Sequence, residues 1–243
     1  MQTTKAKIMY FFQVFSITVN YLFNKTFSEK KILNNILDDK SIVFDIGSNL
    51  GTYIKFVSRT VEDRDVTFHS FEPNKVLTNE QTKIKLKEKH SLIINNLAVS
   101  NKNAEVTFYQ RALGSSQSSL EKEHHFLNTF ASKKDSSKIN SIKSVSTVTA
   151  IKLDDYCKEN NINRIDLLKI DTEGHEYNVL CSGENLLKNK LIKAIKIEIG
   201  LFDNNLASII KLLNSYNYKL IGSLNNSYID NELKFFDAYF IKG

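Results

Sequence analysis

From residue 41 onward, apolar runs alternate with amphipathic stretches in the order expected of βαβ units. Residues 41–45 read as a strand, 52–60 as a helix, 66–71 as a second strand and 74–89 as a long helix with a polar face. A third strand falls at 92–95, and the alternation of Val106 and Phe108 makes 105–110 another strand or a hairpin partner. After a polar stretch at 114–144 the order resumes: a short helix at 154–160, a buried strand at 165–171, a helix at 176–187 and a strand at 193–199. A helix at 206–215 and strands at 218–221 and 235–241 close the pattern. The expected fold is an α/β, Rossmann-like sheet with helices on both faces and antiparallel strands at its C-terminal edge. In such sheets ligands sit at the carboxyl ends of the strands.

The 243 residues, 42% of them hydrophobic, suffice for one core. One domain at 41–243 is expected, preceded by a helical extension at 1–40, with 114–145 as an insertion or lid. Polar stretches of that length in a compact domain often serve as lids or binding loops. Residues 8–24 carry no charge and are flanked by Lys5, Lys7 and Lys25. They fall short of the roughly 20 apolar residues that span a bilayer and are interrupted by Gln13, Ser16, Thr18 and Asn20. A helix packed on the domain or touching a membrane surface is expected ahead of a transmembrane anchor, in a cytoplasmic protein with peripheral membrane contact as its limit. Two cysteines, Cys157 and Cys181, are too few for a disulfide framework and fit a reducing compartment. The net charge of +6 is spread along the chain, so it singles out no partner.

Chemistry enters at VFDIGSNLGTYIKF, residues 43–56, where an apolar strand runs into Asp45, Gly47, Asn49 and Gly51. This is neither the G-x-G-x-x-G of dinucleotide sites nor a P-loop. A carboxylate at the mouth of a glycine loop would repel a phosphate. It suits a cationic ligand without phosphate, and S-adenosyl-L-methionine, with its ammonium and sulfonium, is such a ligand. Glu72, at the end of the second strand in HSFEPN, stands where an acidic residue accepts hydrogen bonds from ribose hydroxyls.

A second cluster lies in LLKIDTEGHE, where a buried strand ends in Asp171, Glu173 and Glu176 with Gly174 among them. Methyl transfer to an alcohol needs a positioned nucleophile and a group to receive its proton. Glu173 is the first candidate for general base, with Asp171 bridging cofactor and acceptor. Glu176 reads as a helix-start carboxylate satisfying the dipole, and His175 more often packs than catalyses at such a position. His124 and His125 are weaker candidates for acceptor contact. Glu198 in IKIEIG has the oxygen ligands to join Asp171 and Glu173 around a divalent cation, but carboxylates so spread in sequence are weak evidence and no metal is expected. The single proline, Pro73, excludes the N-P-P-[YF] motif of amino-methylating nucleic-acid enzymes. G-x-S-x-G, H-E-x-x-H and zinc spacings are missing as well.

Together VFDIGSNLGTYIKF, SFEPN, NNLAVSNKNAEVTFY, SSL, TVTAIKLDDYCKENNINRIDLLKIDTEGHEYNVLCSG and IKIEIG resemble the FkbM family of S-adenosylmethionine-dependent methyltransferases, over about residues 41–200. The resemblance implies a class I methyltransferase fold acting on a hydroxyl of a sugar, glycolipid or secondary metabolite. It implies that Asp45, Gly47, Asn49 and Gly51 hold the methionine part of the cofactor, that Glu72 holds ribose, and that the turn Asn96-Leu97-Ala98 lies near adenine. The expected partner is a hydroxyl-bearing small molecule or glycan; nucleic acid is not expected. Two rivals stay open: an RNA methyltransferase, which needs a clustered basic face, and a non-catalytic binding module attached to a membrane through residues 8–24.

Overall fold

The computed structural model describes residues 28–111, 118–122, 142–200, 205–229 and 232–243. The chain begins there with helix α1 (Glu29–Ile36), followed by β1 (Ser41–Ile46), α2 (Thr52–Thr60), β2 (Val66–Phe71), α3 (Lys75–Gln81) and β3 (His90–Asn95). Next come β4 (Ala98–Val99), β5 (Ala104–Arg111), β6 (Ile142–Ile151), α4 (Leu153–Glu159) and β7 (Ile165–Ile170). The chain ends through α5 (Glu176–Ser182), α6 (Glu184–Lys188), β8 (Ile192–Gly200), α7 (Asn205–Ser215), β9 (Tyr218–Ile229) and β10 (Glu232–Lys242).

Seven strands form one sheet in the order β3-β2-β1-β7-β8-β10-β9. The first five run parallel, and β10 lies antiparallel between β8 and β9. The chain starts mid-sheet at β1, winds out to β3 and then crosses to β7. Strand order therefore reverses between β1 and β7, and the carboxyl ends of these strands flank a crevice. All six residues of β7 are buried, as a central parallel strand covered on both faces requires.

The core has two parts, one on each face of the sheet. One gathers Phe44, Phe71, Leu168, Ile170, Ile195 and Ile197 with residues of α4 to α7. The other packs Val43, Phe68, Leu167 and Ala194 against α2 and α1. Helix α1 contributes Ile32, Leu33 and Ile36 to this second core, so the described part of the N-terminal extension is integral to the domain.

The structure departs from the sequence pattern at four places. The helix expected at 74–89 stops at Gln81, because Lys83, Lys85, Lys87 and Glu88 offer no apolar stripe and Ile84 turns in to pack on the glycine loop. The helix expected at 176–187 is two, separated at Gly183. The C-terminal strands are longer than expected and form a hairpin. Residues 142–151, expected as the end of the polar loop and its flank, form β6, the middle strand of a separate sheet of order β4-β6-β5. Of the expected insertion, 118–122 and 142–145 are described; the rest, with His124, His125 and residues 8–24, lies outside the described residues. Among the described residues no helix is long and apolar enough to cross a membrane.

Candidate active site

The glycine loop after β1 is held from three sides. The backbone N–H groups of Gly47 and Ser48 donate to the Phe71 carbonyl at 3.0 and 3.2 Å, and Asp171 N–H donates to Ile46 O at 3.1 Å. Gly47 has φ +74°, and a Cβ there would stand 1.8 Å from the Asp171 carbonyl oxygen. Only glycine lets the loop lie flush against the turn after β7. Asn49 is also left-handed, at φ 51°. Buried Gln81 on α3 pins it by donating to the Asn49 carbonyl at 2.6 Å and to Ser48 Oγ at 2.8 Å.

Glu72 lies across from this loop. It is 6% exposed, and its carboxylate accepts from Asn49 N–H at 3.0 Å and from Asn74 N–H at 2.9 Å. Burial pushes its carboxyl up to about 7, against those two backbone donors, which pull it down. Asn96 donates to the carbonyls of Glu72 and Pro73 at 3.0 and 2.9 Å, fixing the turn behind.

Lys169 is the residue that the sequence reading passed over. It sits at the fifth position of β7, opposite Asp45 on β1, and is 7% exposed. Its ammonium reaches Asp45 Oδ1, Asp171 Oδ2 and the Gly47 carbonyl, each at 3.1 Å. Burial pulls this ammonium down, but the flanking Asp171 and Asp45 more than offset that and its net shift is upward. Asp45 is fully buried, and burial raises its carboxyl although Lys169 draws it back. Neither Asp45 oxygen makes a well-formed hydrogen bond, so the carboxylate rests on its ion pair.

A cavity of about 650 Å³, part of it open to solvent, lies above this arrangement. Gly47, Asn49, Glu72, Ala98, Asp171 and Glu173 are among its lining residues. Asp45, Gly51 and Asn96 are not. Asp45 is buried beneath the floor, paired with Lys169, which also donates to the Gly47 carbonyl of the lining. Gly51, at φ +67°, caps α2 against Ile84, and Asn96 braces the Glu72 turn. These three belong to the frame of the site: the Asp45 side chain, one residue before the end of β1, points into the Lys169 pair.

Among the described residues the lining holds three carboxylates, of Glu72, Asp171 and Glu173, and no lysine or arginine. Such a donor set rejects phosphate and suits a cationic ligand with hydroxyls to donate. The glycine cradle and the Glu72 acceptor fit S-adenosyl-L-methionine.

The turn at 171–175 is braced locally. Glu176 Oε1 accepts from Thr172 N–H, Thr172 Oγ1 and Gly174 N–H at 3.0, 3.1 and 3.0 Å, so this carboxylate ties the turn together. Glu173 has φ 56°, and its carbonyl accepts from Ser119 Oγ at 2.9 Å. His175 is buried, with Nδ1 2.7 Å from Glu121 Oε1 and Nε2 3.0 Å from Ser100 Oγ. Residues 118–122 thereby clamp onto the turn.

A second, wider cavity of about 1490 Å³, also including open solvent, meets the first at Gly47, Asn49 and Asp171. Tyr53, Phe56 and Phe235 give it aromatic walls, and Glu29, Glu198, Asp237 and Lys196 are polar members. Lys196 pairs with Glu29 Oε1 at 3.0 Å and Asp237 Oδ2 at 2.9 Å and lies 4.5 Å from the Tyr53 ring centre. Asp171, Glu173 and Glu198 bring carboxylate oxygens within 4.8 Å of one another. Proximity of this kind is common around acidic cavities and does not by itself define a metal site.

The sheet order, with one antiparallel strand inserted beside the last parallel one, and a carboxylate at the end of each of the first two strands define a class I methyltransferase fold. Residues 45–220 match the profile of the Methyltransferase FkbM domain, and the chain belongs to that family. S-adenosyl-L-methionine is accordingly its cofactor. Among solved structures, the methyltransferase FkbM from Methylobacillus flagellatus KT superposes with a TM-score of 0.50 at 13% identity, over 84% of this chain and 44% of that one. This chain thus spans less than half the length of that relative. The M. capricolum TrmK bound to S-adenosyl-homocysteine gives 0.44 at 15% identity, over 89% of this chain and 69% of that one. Aeropyrum pernix fibrillarin with bound S-adenosyl-L-methionine gives 0.43 at 8%, over 85% and 68%. No curated protein matches the sequence.

Proposed function

We propose that the protein transfers a methyl group from S-adenosyl-L-methionine to a hydroxyl of a sugar or glycolipid acceptor. The observation that carries this reading is the second cavity, which opens onto the cofactor cavity at Asp171 and combines aromatic walls with an acidic lining. Among the described residues its lining has four carboxylates, Glu29, Asp171, Glu198 and Asp237, against two ammonium groups, Lys169 and Lys196. A surplus of negative charge repels the phosphates of a nucleic acid and accommodates a neutral or amino-bearing polyol. Tyr53, Phe56 and Phe235 supply faces on which the C–H side of a sugar ring can lie.

The cofactor supplies an electrophilic methyl group on a sulfonium. Glu72 accepts the ribose hydroxyls in this reading, and Gly47 and Asn49 let the backbone approach. Asp171, held by Lys169, bridges the two cavities, and Glu173 stands on the cofactor side of it. Positioning a hydroxyl in line with the methyl group contributes several kcal/mol to such a transfer.

Radiolabelled methyl transfer to a panel of octyl hexopyranosides and amino-hexopyranosides, run beside ribosomal and transfer RNA transcripts, tests this. Labelled glycoside with unlabelled RNA is expected. Labelled RNA with unlabelled glycosides would overturn it.

A further inference from the structure

The two cavities divide the acidic residues between them. Glu72 and Glu173 line the cofactor side only, Asp171 lines both, and Glu29, Glu198 and Asp237 line the acceptor side only. A group that receives a proton from the acceptor must stand on the acceptor side and near Asp171, where the cavities meet. Glu173, the base expected from the sequence, lines the cofactor cavity and not the acceptor cavity.

Among the described carboxylates lining the acceptor side, ion pairs occupy all but one. Asp171 is 3.1 Å from Lys169, while Glu29 and Asp237 are 3.0 and 2.9 Å from Lys196. A carboxylate oxygen held by an ammonium has that lone pair engaged and is not free to meet an acceptor hydroxyl. Among the described residues no lysine, arginine or histidine pairs with Glu198. It projects from the carboxyl-terminal part of β8, two residues beyond Lys196 and opposite Asp237 in the β8–β10 register. Its oxygens come within 4.8 Å of Asp171 and Glu173.

We infer that Glu198 is the general base of the transfer, taking the acceptor hydroxyl proton as the methyl group moves. The inference rests on the hydroxyl-acceptor reading above. As the hydroxyl oxygen forms its new C–O bond, the S–CH3 bond breaks and its electron pair stays on sulfur. The proton passes from that oxygen to a Glu198 Oε atom and leaves later through the open mouth of the cavity.

Basicity follows from the surroundings. Burial raises the Glu198 carboxyl well above its ordinary value, and Asp171, Glu173, Glu176 and Asp237 each add to that rise. The facing cations are Lys196 on its own strand, turned to Glu29 and Asp237, and Lys169, turned to Asp45 and Asp171. The rate should therefore rise with pH through an apparent pKa above the usual carboxylate range, since only the ionised form accepts the proton.

The test compares wild type, Glu198→Gln and Glu173→Gln with octyl hexopyranosides as acceptors, measuring kcat across pH and cofactor affinity by calorimetry, with and without chelator. Glu198→Gln should lower kcat by about 10²- to 10⁴-fold and flatten its rise with pH. Its cofactor affinity should stay at the wild-type level, because Glu198 does not line the cofactor cavity. Glu173→Gln should keep the rising limb. A Glu198→Gln protein that retains rate and limb, or that loses cofactor binding along with rate, overturns the inference. So does activity abolished by chelator and restored by Mg²⁺, which would make these carboxylates cation ligands. Wild type that methylates no glycoside would instead overturn the hydroxyl reading itself.

Discussion

Replacing Lys169 with methionine tests how the site is held together. The substitution keeps most of the side-chain volume and removes the ammonium between Asp45 and Asp171. The two losses are unequal. The Asp171 side chain is 37% exposed, so water recovers most of its solvation and its share is about 1 kcal/mol or less. Asp45 is 0% exposed and has no other well-formed partner, so its anion is left buried and uncompensated. Removing one member of a buried pair costs about 3–5 kcal/mol, a large fraction of the roughly 5–15 kcal/mol that holds a domain folded. At about 2–4 °C per kcal/mol for a chain of this size, Tm should fall by roughly 6–20 °C. The penalty is also pH-dependent. With Lys169 gone, the folded-state pKa of Asp45 rises further above its unfolded value, near 3.8. Between those two values the folded protein binds more protons than the unfolded one, so stability falls as pH rises through that window. The variant should thus come closest to wild type in acid. Adding Asp45→Asn should recover much of the loss at neutral pH, because the group left behind is no longer charged. Denaturant melts of the four proteins of this double-mutant cycle, at two pH values, read these terms directly. A Lys169→Met loss under about 1 kcal/mol, or no recovery on adding Asp45→Asn, would refute the claim that this pair carries the loop.

Four further outcomes are expected. Ribose hydroxyls donate to the ionised form of Glu72, whose carboxyl stands at about 7, so cofactor affinity should rise with pH up to that value and level off above it, with Glu72→Gln removing the dependence in calorimetric titrations. Without ligand the same upward shift favours the protonated folded state, so its contribution to stability shrinks as pH rises from about 4.5 to about 7. Gly47→Ala should cost about 1–3 kcal/mol from its left-handed backbone alone, and the collision with the Asp171 carbonyl should displace the loop and weaken cofactor binding beyond that. Lys196→Met leaves Glu29 and Asp237 without their shared cation and should cost about 3 kcal/mol in denaturant melts.

The parallel part of the sheet was readable because β1 and β7 are largely apolar runs leading into Gly47 and Asp171, and α2 between β1 and β2 carries a plain amphipathic pattern. Strand β6 escaped because Ile142–Ile151 is rich in serine and threonine and mostly exposed, so its alternation is faint. Its pairing with β5 and β4 is a tertiary fact. In the site, Gly47, Asn49, Glu72, Asp171 and Glu173, which line the first cavity, stood out by type and spacing, whereas Lys169 did not. The signal was present: a lone lysine in the otherwise apolar end of a fully buried strand must have a partner. Asp45 was expected at a cationic ligand for its charge and Asn96 near adenine from the family resemblance, but register and hydrogen bonding place both in the frame. Gln81 gave no signal, since nothing in a helical glutamine marks it as the pin for a loop more than thirty residues upstream.

The most direct test of the account is titration of the folded protein with S-adenosyl-L-methionine in a calorimeter, beside Glu72→Ala. Micromolar binding, about 8 kcal/mol, that is lost in the variant while its melting curve stays cooperative is the predicted result. A folded wild-type protein that takes up no cofactor, or a Glu72→Ala variant that binds it as tightly as wild type, would contradict the assignment of this cavity.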